Sequence, residues 1–204
     1  RHKEGPLAES PSRGVERETE PGGVPTANAL RRIIKNGDLE RDPWTNVMLF
    51  TAARRLNWLQ AMKPALDKGI DVVSARSWIS TMAYQGYGEG MDLDAIAKRT
   101  LDDVGKEYMS PDLEIILALQ DETVRKSLIE SRGQLANPDT FESMSDIFQG
   151  KMKDGYVLFA ENHGVEVLPV EIKLDQTPEE VEASKREIAE TIWERAKEHI
   201  TQRS

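Results

Sequence analysis

The chain has 204 residues, of which 38% are hydrophobic and 31% are charged, and its formal net charge is −9. This length favours one domain, and the negative charge excludes the phosphate-neutralising surface of a protein that binds nucleic acid irrespective of sequence. The sequence contains no cysteine, which excludes a disulfide framework, a thiolate nucleophile and a cysteine metal site. No stretch has the apolar length of a transmembrane helix, and the opening residues lack the pattern of a signal peptide. We therefore expect a cytoplasmic protein without nucleic-acid or membrane partners.

The N-terminal part of the chain is polar and broken by glycine and proline. This composition predicts a disordered or frayed tail over residues 1–17, ahead of one domain over residues 18–204. The domain opens with Glu20-Pro21-Gly22-Gly23, a rigid loop whose glycines let the backbone approach a ligand closely. Thr26 predicts the cap of a first helix, and Asp42-Pro43 predicts the start of a second. The second helix is apolar on more than one face, which indicates that it packs on two sides.

Three apolar runs predict parallel strands, at Ile70–Val73, Leu113–Leu119 and Val165–Ile172. Strands that alternate with helices indicate an α/β fold with a mostly parallel sheet. A polar break over 132–138 is either a mobile lid or a plain connection. The predicted helices, in chain order, cover 27–36, 42–64, a turn at 80–85, 93–104, a stretch from 121, 139–162 and 177–200. Thr177 with Glu180 predicts a capping box at the start of the last helix.

One strand-to-helix junction carries a set of polar side chains suited to a ligand. The strand at Ile70–Val73 delivers Arg76 to its carboxyl end, where open α/β sheets place ligands. Thr81, Tyr84 and Gln85 follow at the i, i+3, i+4 spacing of one helix face. A guanidinium, hydroxyls and an amide on adjacent surfaces suit a ligand with an anionic end and a planar polar end. The alternative is an ordinary junction with a surface arginine.

Other familiar chemical patterns are missing from the sequence. The three histidines are His2, His163 and His199, and their spacing does not fit a set of metal ligands. We find no serine, histidine and aspartate arrangement that would support nucleophilic catalysis. The phosphate-binding pattern Gly-x-x-x-x-Gly-Lys-Ser/Thr is also absent from the 204 residues.

Several short segments, taken in order, resemble one enzyme family. The segments are Glu20-Pro21-Gly22-Gly23-Val24-Pro25-Thr26, Leu49-Phe50-Thr51-Ala52-Ala53-Arg54, Arg76 with Ala83-Tyr84-Gln85-Gly86, Pro111-Asp112-Leu113, and Asp139 with Phe141-Glu142. In this order and spacing they resemble the thymidylate kinases, P-loop enzymes that phosphorylate dTMP to dTDP. The resemblance runs from about Glu18 to the C-terminus.

The resemblance implies a fold, a reaction and partners. The implied fold is a three-layer α/β sandwich with a mostly parallel sheet flanked by helices, as in P-loop kinases, and a lid around 126–138. The family's first strand and phosphate loop are expected to be missing from this chain. The implied reaction transfers a phosphoryl group from ATP, the co-substrate, to dTMP with Mg²⁺ as cofactor. The family also forms homodimers through helices near the nucleotide site.

The resemblance further assigns roles to individual side chains. Phe50 would stack on the thymine ring, and Arg54 would donate to a base carbonyl. Tyr84 would pack on the deoxyribose. The dTMP-binding set comprises these three residues with Glu20, Arg31, Arg76, Ser80, Thr81 and Gln85. The residues assigned to catalysis are Arg76 and Arg132, and those assigned to the ATP side are Arg125 and Arg132.

The sequence also departs from the family pattern. Ala75 stands where the family usually has aspartate before the arginine, so no metal ligand is identifiable there. Thr19 replaces the arginine usual before Glu20-Pro21. Because the chain begins at Arg1 and lacks the phosphate loop, we expect an N-terminally truncated form that does not turn over ATP alone. Two alternatives remain open: a nucleoside monophosphate kinase with another base preference, and a non-catalytic nucleotide-binding homologue.

Overall fold

The structure is a computed structural model that describes residues 15–119, 121–131, 141 and 144–201. Its strands are β1 (Val15–Thr19), β2 (Asp71–Ala75), β3 (Ile115–Leu119) and β4 (Glu166–Val170). Its helices are α1 (Pro25–Lys35), α2 (Pro43–Asn57), α3 (Trp78–Thr81), α4 (Leu93–Asp103), α5 (Glu122–Ser131), α6 (Asp146–His163) and α7 (Pro178–Thr201). Two helices continue as π-helical turns, α2 over Trp58–Met62 and α3 over Met82–Gly88.

The described strands form two parallel pairs. β1 pairs with β2 and β3 pairs with β4, each in an unbroken five-residue register. The prediction of an α/β fold with parallel strands flanked by helices is therefore confirmed. One continuous sheet was expected, but no strand hydrogen bonds join the two pairs within the described residues. The two pairs are held together by packing, because Val72 of β2 and Ile116 of β3 contribute to the same hydrophobic cluster.

Helix starts follow local capping chemistry. Asp42 caps α2, since its carboxylate accepts a hydrogen bond of 2.9 Å from the Thr45 N–H. The predicted capping box of α7 is confirmed: the Thr177 N–H donates to Glu180 Oε2 at 2.7 Å, and the Glu180 N–H donates to Thr177 Oγ1 at 3.3 Å. The predicted cap at Thr26 is wrong. Pro25 begins α1, where its missing N–H and fixed φ are tolerated.

Three predicted boundaries change in the structure. Residues 15–17, assigned to the tail, belong to β1, because parallel pairing with β2 satisfies a backbone whose side chains are mostly charged. The long helix predicted from residue 139 begins at Asp146, because the Ser145 hydroxyl caps it by accepting from the Phe148 N–H. The second helix also runs past Pro64, since a last helical turn over Lys63–Leu66 follows the π-helical turn.

The core lies between the strands and the helices that position the site. α6 approaches the Met82–Gly88 turn closely because two glycines leave room for aromatic rings. A Cβ on Gly155 would lie 2.5 Å from Tyr87, and one on Gly88 would lie 2.6 Å from a ring carbon of Phe148. The largest buried cluster includes Val47, Trp58, Trp78, Ile79, Ile96, Ile116 and Phe159. No helix in the described part of the chain is long and apolar enough to cross a membrane.

Candidate functional site

The two strands β1 and β2 end together, and each is followed at once by a charged side chain. Glu20 follows β1, and its N–H donates to the carbonyl of Ala75 at 3.0 Å. Arg76 follows β2 and adopts a φ of +76°, a left-handed conformation that is uncommon for a residue with a side chain. Such backbone strain clusters at functional sites. Parallel pairing therefore places a carboxylate and a guanidinium at the same edge of the sheet.

A buried ion pair joins this edge to α2. Arg54 and Glu20 are only 2% and 3% exposed, and Arg54 Nε donates to Glu20 Oε2 at 2.8 Å. The Tyr108 hydroxyl donates to the other oxygen of Glu20 at 2.6 Å. Burial works against the charge of Arg54, but the attraction of Glu20 and contact with Tyr108 raise its pKa above the ordinary value. The guanidinium therefore stays charged.

The same guanidinium reaches the helical turn after β2. Arg54 Nη2 donates to Thr81 Oγ1 at 3.2 Å and to the carbonyl of Ser77 at 3.4 Å. Its remaining nitrogen, Nη1, is buried without a hydrogen-bond partner among the described residues. Gln85, one turn after Thr81, is fully buried, and its amide lies beside the Glu89 carboxylate. Unsatisfied buried donors and acceptors cost free energy, so a ligand that pairs with them would be stabilised.

An aromatic wall lies beside Arg76. The Arg76 guanidinium carbon lies 5.7 Å from the centroid of the Tyr84 ring, a cation–π distance. The Tyr84 ring meets Phe141 edge-on at 5.6 Å, and Phe141 lies 5.8 Å from Phe50 on α2. This chain of contacts connects Phe50, which is predicted to stack on the base, to Arg76, which is predicted to bind dTMP and to act in catalysis.

A tyrosine from α6 completes this wall. The Tyr156 hydroxyl donates to Ser80 Oγ at 2.9 Å, and the Tyr156 ring meets Tyr84 edge-on at 6.4 Å. Burial raises the pKa of Tyr156, and the nearby charge of Arg76 offsets part of that effect. Tyr156 therefore stays a neutral donor that fixes the Ser80 hydroxyl.

The loop after β1 requires its second glycine. Gly23 has a φ of +95°, and a Cβ there would lie 2.2 Å from Glu18 Oε2 and 2.3 Å from Asn57 Oδ1. Arg31 on α1 is tied to the same loop, since its Nη1 donates to the carbonyl of Pro21 at 3.0 Å. The Glu20-Pro21 peptide bond is cis. The loop thus sets the position of Arg31 as well as that of Glu20.

Comparison with known proteins agrees with these features. The family profile described as thymidylate kinase matches residues 7–184. The chain belongs to the thymidylate kinase family.

Individual relatives give the extent of the similarity. The chain is 35% identical over 172 residues to a thymidylate kinase of Nitratidesulfovibrio vulgaris strain DP4, a match that covers 82% of this chain and 75% of that protein. It is 34% identical over 170 residues to a thymidylate kinase of Halalkalibacterium halodurans, a match that covers 83% of this chain and 78% of that protein. A crystal structure of thymidylate kinase from Ehrlichia chaffeensis superposes with a TM-score of 0.61 at 19% identity, covering 88% of this chain and 80% of that one. This last likeness shows the shared fold.

Within the family's framework, the structure brings most of the predicted dTMP-binding residues into two connected groups. Arg54 contacts Glu20 and Thr81 directly. The second group runs along the aromatic wall and contains Phe50, Arg76, Ser80 and Tyr84. Their roles toward a nucleotide stay predictions.

The predicted ATP side is described only in part. Arg125 lies on α5, half-buried, and its backbone N–H donates to the carbonyl of Asp121 at 3.1 Å. Arg132 and the predicted lid beyond residue 131 lie outside the described residues. The roles assigned to both arginines therefore stay predictions.

Three members of the site escaped the sequence reasoning. Tyr108 lies 88 positions from Glu20, so no local pattern connects them. Tyr156 lies within the predicted helix over 139–162, and its hydroxyl gave no separate signal. Asn57, fully buried beside Gly23, follows Arg54-Arg55-Leu56, a context in which an amide is usually exposed. All three contacts join residues far apart in the chain, so spacing along the sequence carries no signal of them.

Proposed function

We propose that this chain binds dTMP and forms the nucleotide-binding part of a thymidylate kinase, which transfers a phosphoryl group from ATP to dTMP and releases dTDP. The observation that carries the proposal is the buried guanidinium of Arg54. Glu20 and Thr81 fix two of its nitrogens, and Nη1 remains without a partner among the described residues. A donor fixed in this way suits the carbonyl oxygen of a pyrimidine.

The base would lie between α2 and the turn after α3. Phe50 offers an aromatic face for stacking, while Gln85 and Thr81 offer an amide and a hydroxyl to its polar edge. Burial of these polar groups favours a ligand that satisfies all of them. Tyr84, between Arg76 and Phe141, would contact the sugar.

The acceptor phosphate would bind at the carboxyl ends of β1 and β2. Arg76 and Arg31 supply guanidinium forks, which match phosphate oxygens in geometry and charge. Phosphoryl transfer depends mainly on positioning and on neutralising charge in the transition state. Arg132 and Arg125 would provide the corresponding charge on the ATP side.

Magnesium accompanies ATP in this family. Among the described residues, no group of three acidic or histidine side chains is placed to hold a metal ion. Ala75 carries no carboxylate at the end of β2, and both oxygens of Glu20 are already paired. The described residues at the ends of β1 and β2 thus leave no free carboxylate for magnesium, so we assign no step of the reaction to the metal.

A non-catalytic nucleotide-binding homologue is the second candidate. Ala75, which places no carboxylate at the end of β2, favours it. On either proposal, the chain binds dTMP. The two proposals differ in whether the product of the whole gene phosphorylates dTMP.

Titration calorimetry with dTMP, dUMP, dCMP and dGMP tests the binding proposal. We expect dTMP to bind most tightly, and equal affinity for all four would contradict a thymidylate site. A coupled assay of ADP release on the product of the whole gene then separates the enzyme from the non-catalytic homologue. A preference for another base in both experiments would indicate a different nucleoside monophosphate kinase.

We also propose that the protein forms a homodimer through α2. Met48 on this helix and Leu59 on its π-helical continuation are exposed, although the helix also packs against the core. An apolar helix with one face uncovered fits an interface between two copies. Sedimentation equilibrium tests this, and a Met48→Lys, Leu59→Lys variant is expected to be monomeric. The cytoplasmic location also stays a prediction.

A further inference from the structure

Tyr108 connects the hydrophobic core to the ion pair at the site. It lies in the segment between α4 and β3 and is buried. Its ring packs edge-on against Trp58 at 5.7 Å, and the Arg54 guanidinium carbon lies 5.9 Å from the ring centroid. Its hydroxyl donates to Glu20 Oε1 at 2.6 Å. The ring and the hydroxyl of this residue therefore have separate contacts.

The hydroxyl completes the coordination of a buried carboxylate. Glu20 is 3% exposed, so water does not replace a missing partner readily. Its Oε2 accepts from Arg54 Nε and its Oε1 accepts from Tyr108. Without that hydroxyl, Oε1 would be a buried acceptor with no donor, which carries a free-energy cost. Rotation of the Glu20 carboxylate toward another donor would relieve the cost, and it would weaken the bond to Arg54.

The orientation of Arg54 depends on that bond. The planar guanidinium is held at Nε by Glu20 and at Nη2 by Thr81, so the direction of Nη1 is determined by these two contacts. Nη1 is the nitrogen that lacks a partner among the described residues. A small rotation of the plane would redirect this donor away from a ligand.

We propose that Tyr108 is a positioning residue of the nucleotide site, which holds Glu20 so that Glu20 aims the Arg54 guanidinium at the bound base. This inference rests on the proposed binding of dTMP and adds a residue from outside the motifs that the chain shares with its family. Tyr108 itself does not touch the nucleotide. Its burial also raises the pKa of its hydroxyl well above 10, so it donates over the whole working pH range.

The test uses Tyr108→Phe, which removes the hydroxyl and keeps the ring against Trp58. We expect its Kd for dTMP to rise about fivefold to tenfold, as for the loss of one hydrogen bond in a buried network. Tyr87→Phe is the matched control, because it removes a hydroxyl from a ring that packs on Gly155. Ile116→Val is the stability control, since it loses core packing on β3 without touching Glu20. Both controls are expected to bind dTMP as the unaltered chain does.

A measurement without ligand separates this inference from the proposed function. The Arg54 Nε–H proton is followed by nitrogen-15 NMR, and Arg54→Lys identifies its signal by removing it. We expect solvent exchange of this proton to be about tenfold faster in Tyr108→Phe than in the two controls. Unchanged exchange, or faster exchange with unchanged dTMP affinity, overturns the inference. If the unaltered chain binds no dTMP, the proposed function fails, and the exchange rate still decides whether Tyr108 holds Arg54.

Discussion

At Arg54, burial, charge and hydrogen bonding act on a single side chain. Its Nε and Nη2 donate to Glu20 and Thr81. Its Nη1 has no hydrogen-bond partner among the described residues. A lone buried cation would be strongly destabilising, so Glu20 is a condition for Arg54 to be there at all. The contacts of Arg54 with Glu20 and Thr81 would therefore orient it for a nucleotide and also stabilise the fold.

Removing Arg54 alone is expected to affect stability as well as binding. Arg54→Ala leaves Glu20 buried and unpaired, which costs about 3–5 kcal/mol of unfolding free energy. The double variant Glu20→Gln, Arg54→Met leaves no unpaired buried charge. Its free energy of dTMP binding is expected to be weaker by about 1.5–3 kcal/mol. Calorimetry and urea denaturation measure the two effects. Arg55→Ala, one position along α2 and exposed, is the control, and retained affinity in the double variant would contradict the role of Arg54.

Gly23 offers a test of the loop after β1. Gly23→Ala places a Cβ within 2.3 Å of Glu18 and Asn57 in addition to its unfavourable φ of +95°. Gly105→Ala has a comparable φ of +107° but meets open space. We expect the control to cost about 1–2 kcal/mol of unfolding free energy, and Gly23→Ala to cost about 1–3 kcal/mol more through overpacking. Equal losses in denaturation curves would show that the loop tolerates the side chain.

Among the elements, β1 carries charged side chains that differ strongly in exposure. Glu18 is buried beside Asn57, whereas Glu16 and Arg17 are exposed. Burial raises the pKa of Glu18, and the charges of Glu16 and Glu20 add to the increase, while Asn57 offsets a part of it. Ionisation of Glu18 is therefore less favourable in the folded chain than in the unfolded chain.

Glu18 is expected to make stability depend on pH. Its folded pKa lies above the unfolded value, so its contribution is present below the unfolded pKa and is lost as pH rises through the folded pKa. Glu18→Gln should therefore gain stability relative to the unaltered chain at pH 7 but not at pH 4. Denaturation at the two pH values measures this difference. Glu16 is exposed on the same strand, so Glu16→Gln should change stability much less between the two pH values. A pH-independent effect of Glu18→Gln would contradict a raised pKa of Glu18.

For the molecule as a whole, each pair of strands leaves apolar side chains in contact with water. Val15 and Val73 are 54% and 57% exposed on one face of the β1–β2 pair, and Leu117 on β3 is 50% exposed. Sheet faces in α/β proteins are normally covered by helices. Exposed apolar patches and strand edges favour association between molecules.

We expect the isolated chain to associate in a concentration-dependent manner through these faces. Val73→Lys together with Leu117→Lys should lower the average mass seen by light scattering, because charges on strands disfavour such contacts. Leu101→Lys, on the exposed side of α4, is the control and should leave association unchanged. The same mass for the double variant and the control would refute this explanation.

The sequence by itself predicted β2, β3 and β4 with helices between them, the caps at Asp42 and Thr177, and membership of a kinase family. Those features depend on residues close together in the chain, where spacing and side-chain chemistry are directly visible. Only the tertiary structure decided that β1 begins at Val15, that Tyr108 holds Glu20, and that Tyr156 meets Ser80. These contacts join residues many positions apart, and their stability comes from burial, which appears only when the chain is packed.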